Sequence, residues 1–148
     1  MAVLTAEDCA ASRAPGRLMR RIDKLMASHV ESKFDGLDLS YLHWVALKVV
    51  RDGVAGNAGE LARELGITTG ATTRMIDVLE KHGLMARDRT GGDRRVVRLT
   101  TTDTGRETVA RLQPRVVGAW NEVLAGFAQD EVGGLVETLL RLLAAPPR

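Results

Sequence analysis

A chain of 148 residues, 45% of them hydrophobic, is long enough for one domain with a real core, and with only 3% aromatics that core must be built from Leu, Val, Ala, Ile and Met. No apolar run approaches the ~20 residues that span a bilayer, residues 1–13 lack the basic stretch ahead of an apolar core that marks a secretory signal, and the single cysteine, Cys9, excludes an intrachain disulfide, so a reduced, cytoplasmic setting is expected. The net charge of +2 is too small to argue for a nucleic-acid partner by itself.

Residues 1–13 form a weakly patterned arm. Pro15 suits the first turn of a helix, where its missing N–H would be unpaired anyway. Leu18, Ile22, Leu25 and His29 then share one stripe, with Met19, Met26 and Val30 beside it, which predicts a first helix over 15–33 ended by Asp35-Gly36. Ser40 or Asp38 caps a second helix lined by Leu42, Val45, Ala46, Val49 and Val50 and closed by Gly53 and Gly56. Asn57 caps a short third helix carrying Leu61, Ala62 and Leu65, which stops at Gly66. Thr68 or Thr69 opens a fourth helix with an inner stripe of Ala71, Met75, Ile76 and Leu79, ending at Gly83.

Two short strands follow, over 84–87 and 96–99, joined through the turn residues Thr90, Gly91, Gly92 and Asp93. Thr101 to Thr104 then offer caps for a helix through Val109, Leu112, Val116, Trp120 and Leu124, which Pro114 should bend or rob of one backbone bond. A last helix over 130–143 places Val132, Leu135, Val136, Leu139, Leu140 and Leu143 on one broad face. Gly133 and Gly134 inside it cost about 1 kcal/mol each relative to Ala, so either the helix frays early or a neighbouring backbone packs closely there.

The stretch 58–100 holds the elements that a DNA-reading unit would need. A short helix braces a second one across a Gly turn, and a hairpin follows, which is the order of a winged helix-turn-helix. The second helix presents Thr68, Thr69, Thr73 and Arg74 near its N-terminal half, the end that meets base edges in such motifs. Their hydroxyls can bond phosphates or bases, and Arg74 can bond guanine or clamp a phosphate. Asp77 and Glu80 fall further along, where contact with DNA should already be lost. Positive charge concentrates on the hairpin: residues 86–99 hold 5 Arg against 2 Asp. Arg89, Arg94 and Arg95 flank the Gly-Gly turn, and an arginine at such a tip can enter a narrow minor groove. Asp93 stands ready to orient a neighbouring Arg by an ion pair.

These residues, ELARELGIT followed by TTRMIDVLEKHGLMARDRTGGDRRVVRLTTTDTGRE, resemble the multiple antibiotic resistance regulator (MarR) family across nearly the whole chain. The match is specific through Leu79-Glu80, Gly83-Leu84, Asp93-Arg94-Arg95, Leu99-Thr100 and Gly105. The resemblance implies a mainly α fold with a small β-hairpin (α+β): a winged helix-turn-helix DNA-binding region over 37–100, and a helical dimerisation layer over 14–34 and 101–145, in a single domain of residues 1–148. It implies a homodimer on a pseudo-palindromic double-stranded operator, with Thr68, Thr69, Thr73 and Arg74 at recognition-helix positions. Asp93 and Arg95 match the wing Asp-x-Arg motif, with Arg94 at the tip. Two positions depart from the family pattern. Gly70 stands where Ser or another contacting side chain is usual, and Thr72 where a small apolar residue is common.

The resemblance also implies a transcriptional regulator, a repressor rather than an activator, released by a small aromatic or phenolic effector. Candidate cleft residues for that effector are His29, His43, Trp44 and Arg51. Cys9 is a poor redox sensor, because Glu7 and Asp8 beside it oppose a lowered thiol pKa. The 3 His and 1 Cys lack metal-ligand spacing, and no nucleophile elbow or phosphate loop is present. No catalytic activity, metal or cofactor is therefore expected. The competing reading is a winged-helix protein-interaction module that does not touch DNA, kept open by the 6 acidic residues within 57–100.

Overall fold

The computed structural model describes residues 3–93 and 95–145. Six helices and one hairpin follow in order: α1 (Pro15–Glu31), α2 (Tyr41–Arg51), α3 (Ala58–Leu65), α4 (Thr69–Lys81), β1 (Met85–Asp88), β2 (Arg98–Thr101), α5 (Asp103–Leu124) and α6 (Gln129–Ala144). The mainly α fold with a small antiparallel hairpin is the one expected. None of the helices is long and apolar enough to cross a membrane.

The helix ends follow from local chemistry. Ser40 caps α2, its Oγ accepting from the His43 N–H at 3.1 Å while the Ser40 N–H donates back to His43 Nδ1 at 3.1 Å. Asn57 and Thr68 cap α3 and α4, accepting from the N–H groups of Glu60 and Ala71. Gly66, at φ +63°, ends α3 in the left-handed conformation that glycine adopts without strain.

A single core lies between α2, α5 and the helix-turn-helix. Leu47, Leu61, Ile76, Leu79, Met85, Val109 and Leu112 are all essentially inaccessible, and Met26 and Val30 of α1 join them. Phe34, just past α1, is also fully buried. The indole Nε1 of Trp44 donates to the Val109 carbonyl at 3.3 Å, tying α2 to α5. Thr72 is fully buried, and its hydroxyl donates to the Thr68 carbonyl one turn back at 2.9 Å. It therefore fills a core position with its methyl group and leaves no polar atom stranded.

Two expectations are adjusted, for the strands and for α6, and one, for Pro114, is resolved between its alternatives. The strands begin one and two residues later than predicted, with Met85 opposite Thr101 and Asp88 opposite Arg98. The reason is that Val96 is held in a turn, its N–H donating to the Asp93 carbonyl at 3.1 Å, so pairing starts only at Arg98. α5 runs unbroken through Pro114, which sits on its solvent side, where water can take the carbonyl that loses its partner. α6 continues past Gly133 and Gly134 without fraying, yet among the described residues nothing beyond the helix's own adjacent backbone lies within 4 Å of a Cβ at either position.

The hairpin is fixed to α5 at one tight junction. The Thr102 N–H donates to the Leu84 carbonyl at 3.1 Å, and the Thr102 hydroxyl donates to the Gly83 carbonyl at 2.6 Å. The same hydroxyl caps α5 through the Gly105 N–H at 3.0 Å. A Cβ at Gly105 would stand 2.0 Å from the Leu84 carbonyl oxygen and 2.7 Å from the Thr101 methyl. Gly105→Ala must push α5 away from the hairpin root, and overpacking of this kind costs about 1–3 kcal/mol or more. A urea or thermal melt should register that loss, and an unchanged midpoint would refute the tight junction.

Candidate nucleic-acid interface

Two surfaces carry the residues singled out for DNA contact. The first is the N-terminal half of α4. Thr68, Thr69, Gly70, Thr73 and Arg74 are all exposed there. Leu79 and Ile76, buried on the opposite side, anchor the helix against the core. The Thr68 hydroxyl accepts the capping bond and keeps its own proton to donate, whereas the Thr73 hydroxyl donates to the Thr69 carbonyl at 3.0 Å and keeps its lone pairs. Among the described residues, nothing beyond the helix's own adjacent backbone lies within 4 Å of a Cβ at Gly70. The first turn of α4 therefore offers an open notch flanked by threonines.

The second surface is the loop between β1 and β2. Asp88 Oδ1 accepts from the Thr90 N–H at 2.8 Å and from its hydroxyl at 2.5 Å, which holds the Asp88 carboxyl below the usual carboxylate range. Asp93 Oδ1 accepts from the backbone N–H of Arg95 at 3.0 Å. Asp93 thus holds the turn by a local side chain–backbone bond, and among the described residues no guanidinium pairs with it. Arg89 and Arg95 are exposed. Among the described residues, no carboxylate pairs with Arg74, Arg89 or Arg95. Arg94 falls outside the described residues.

The hairpin's positive excess is smaller than its arginine count suggests. Arg87 turns back onto α4, its Nη2 2.7 Å from Asp77 Oδ1 and its Nη1 bonded to Glu80. Sequence reasoning counted Arg87 with the wing. Its position two residues after the buried Met85, on the same side of β1, was the available signal that it faces α4.

Each of the four residues proposed to line an effector cleft has a contact of its own within the chain. Trp44 belongs to the core, its indole satisfied by Val109. His43 is engaged in the α2 cap. Arg51, at the other end of α2, pairs with Asp52 at 2.9 Å. His29 lies on α1, with Nε2 2.9 Å from Glu122 Oε2 but without hydrogen-bond alignment. A shallow groove between α1 and α5 runs past that point, lined by Lys33, Asp35, Arg115, Gly118 and Glu122. Its cations are already paired, Lys33 with Glu122 at 2.8 Å and Arg115 with Asp35. Cys9 is exposed.

Burial and the nearby His82 lower the His43 pKa, despite Asp38 and Glu31. The unfolded chain then binds the proton more readily, so this contribution to stability is full above about pH 6.5 and is lost as the pH falls through the folded value. Protonation of Nδ1 would also cancel the acceptor for the Ser40 N–H. His43→Gln, which keeps a capping-box acceptor, should flatten the decline in denaturation midpoint as the pH falls below about 6.5. A variant with the wild-type pH profile would contradict this role.

Residues 39–97 match the family model described as MarR family. Three solved structures place the chain among known folds. A transcriptional repressor, CouR, bound to a 23-mer DNA duplex is 26% identical, covering 96% of this chain and 99% of that one, with a TM-score of 0.78. A mutant MarR from E. coli complexed with operator DNA is 25% identical over 86% and 92%, with a TM-score of 0.76. A Mycobacterium tuberculosis MarR family protein in complex with salicylic acid is 25% identical over 86% and 95%, with a TM-score of 0.69.

Proposed function

The chain belongs to the MarR family, and from that premise we propose that it is a homodimeric, sequence-specific DNA-binding repressor whose hold on DNA is released by a small aromatic effector. The observation that carries this reading is the pairing of two exposed surfaces on one rigid unit. One is the threonine- and arginine-bearing start of α4, and the other is the arginine-bearing loop beyond β1. Thr68, Thr69, Thr73 and Arg74 would enter a major groove, and Arg89, Arg94 and Arg95 would approach the adjacent minor groove, with Asp93 shaping the loop. Similarity to a DNA-bound repressor and to an operator complex supports the partner, and similarity to a salicylic acid complex supports the class of effector. The location is the cytoplasm, where such a regulator meets DNA, and the protein is not an enzyme.

The dimer follows from what the single chain leaves uncovered. Leu18, Ile22 and Leu25 of α1 are exposed, Leu25 by 65%. No residue of α6 is buried, although it carries Leu135, Val136, Leu139, Leu140, Leu142 and Leu143. A monomeric soluble protein rarely leaves so large an apolar face in water. Residues 14–34 and 101–145 therefore form the dimerisation layer, and residues 37–100 the DNA-binding region. Two-fold symmetry sets the half-sites about one helical turn, ~10 bp, apart. The protein-interaction alternative rested on the six acidic residues of 57–100, and five of them are already engaged. Glu60 accepts from the Gly56 N–H, Asp77 and Glu80 pair with Arg87, Asp88 accepts from Thr90, and Asp93 accepts from the Arg95 N–H.

Titration against the protein's own promoter at several salt concentrations tests the main reading. A complex that weakens steeply with salt is expected, because bound arginines release counterions. Arg95→Ala should weaken binding to specific and random sequences alike and reduce the salt slope by about one. Unchanged affinity at fixed salt would reject the wing contact, and no salt-sensitive complex at all would favour the interaction module. Sedimentation should give a dimer at micromolar concentration, and Leu139→Glu should shift it toward monomer.

A further inference from the structure

The exposed face of α4 changes character along its length. At 100° per residue, Thr69, Thr73, Asp77 and Glu80 all fall within one sector of about 80°. The side that begins with two threonines therefore ends in two carboxylates, Asp77 and Glu80, both exposed. A helix seated in a major groove ~12 Å wide keeps its later turns within about a Debye length of flanking phosphates. Two bare carboxylates there would oppose binding.

Arg87 meets both of them. Its side chain leaves β1 on the side of the buried Met85 and is only 20% exposed, against 59% for Asp77 and 43% for Glu80. The guanidinium bonds the two carboxylates with different nitrogens, the planar fork matching both acceptors at once. Both carboxylates keep much of their exposure to water, which screens the pairs. Resting on the DNA-binding reading above, we propose that Arg87 is a positioning residue of the DNA-reading face: it touches no DNA, and it acts by neutralising Asp77 and Glu80 so that the far half of α4 can lie close to phosphate.

The test uses the full-length protein, titrated against its promoter DNA at fixed salt near about 0.1 M by fluorescence anisotropy. Arg87→Met keeps the stem and removes the charge. It should weaken binding roughly tenfold, as one lost cationic contact would. Adding Asp77→Asn and Glu80→Gln to that variant should restore affinity to within roughly threefold of wild type, because nothing is left to neutralise. Asp77→Asn/Glu80→Gln in the presence of Arg87 should bind at least as tightly as wild type. That double variant needs no buried change and carries the test if Arg87→Met fails to fold.

Two results overturn the inference. One is a triple variant as weak as Arg87→Met, with the salt slope reduced by about one, which is the signature of Arg87 contacting phosphate itself. The other is a double variant as weak as Arg87→Met, which makes the ion pairs a mechanical brace for the hairpin. A wild-type protein that forms no salt-sensitive complex defeats the DNA-binding reading and this inference together, whereas wild-type binding without rescue defeats this inference alone.

Discussion

The hairpin and the helix that leads out of it depend on one close approach, that of the first turn of α5 to the Leu84 carbonyl. Leu84 ends the α4 turn, and its carbonyl accepts from the Thr102 N–H while Gly105 passes beside it with no room for a side chain. Thr102 serves three groups there, capping α5 and bonding Gly83 as well as Leu84. α4, β1 and α5 therefore meet at one satisfied knot of backbone groups, and such a knot resists independent movement because every opened bond strands a polar atom. Movement of the α5 layer must be felt at the hairpin, which is the mechanical condition for a ligand bound elsewhere to change DNA affinity.

Charge is sorted across this scaffold by local pairing. The acidic side chains nearest the reading face are occupied, Asp77 and Glu80 by Arg87 and Asp88 by Thr90. Arg74, Arg89 and Arg95 stand clear in solvent. The whole-chain charge of +2 hides this division. The field that an approaching phosphate meets depends on which cations remain available, not on their number.

The apolar residues divide in the same way. α1 turns Met26 and Val30 into the core and leaves Leu18, Ile22 and Leu25 outside, so one helix serves two different packing surfaces. α6 contributes nothing to the core of its own chain. The open space around Gly133 and Gly134 belongs to this helix, and it leaves room for close packing by a second copy.

The sequence by itself determined most of the elements. Helical periodicity placed all six helices, and the caps at Asn57 and Thr68 and the stop at Gly66 were readable because a cap is a local bond between neighbours in the chain. The order of helix, turn, helix and hairpin carried the family resemblance. The strand bounds fall one to two residues later than the sequence suggested, because Val96 and Val97 look like strand and only the turn bond from Val96 to Asp93 takes them out of it. Tertiary structure decided that the Trp44 indole bonds Val109 in the core, that His43 closes the α2 cap, and that the Arg87 guanidinium pairs with Asp77 and Glu80 of α4. Each of those outcomes depends on which side chains a helix or strand meets across space. Periodicity fixes the face on which a residue lies but not the partner that waits there.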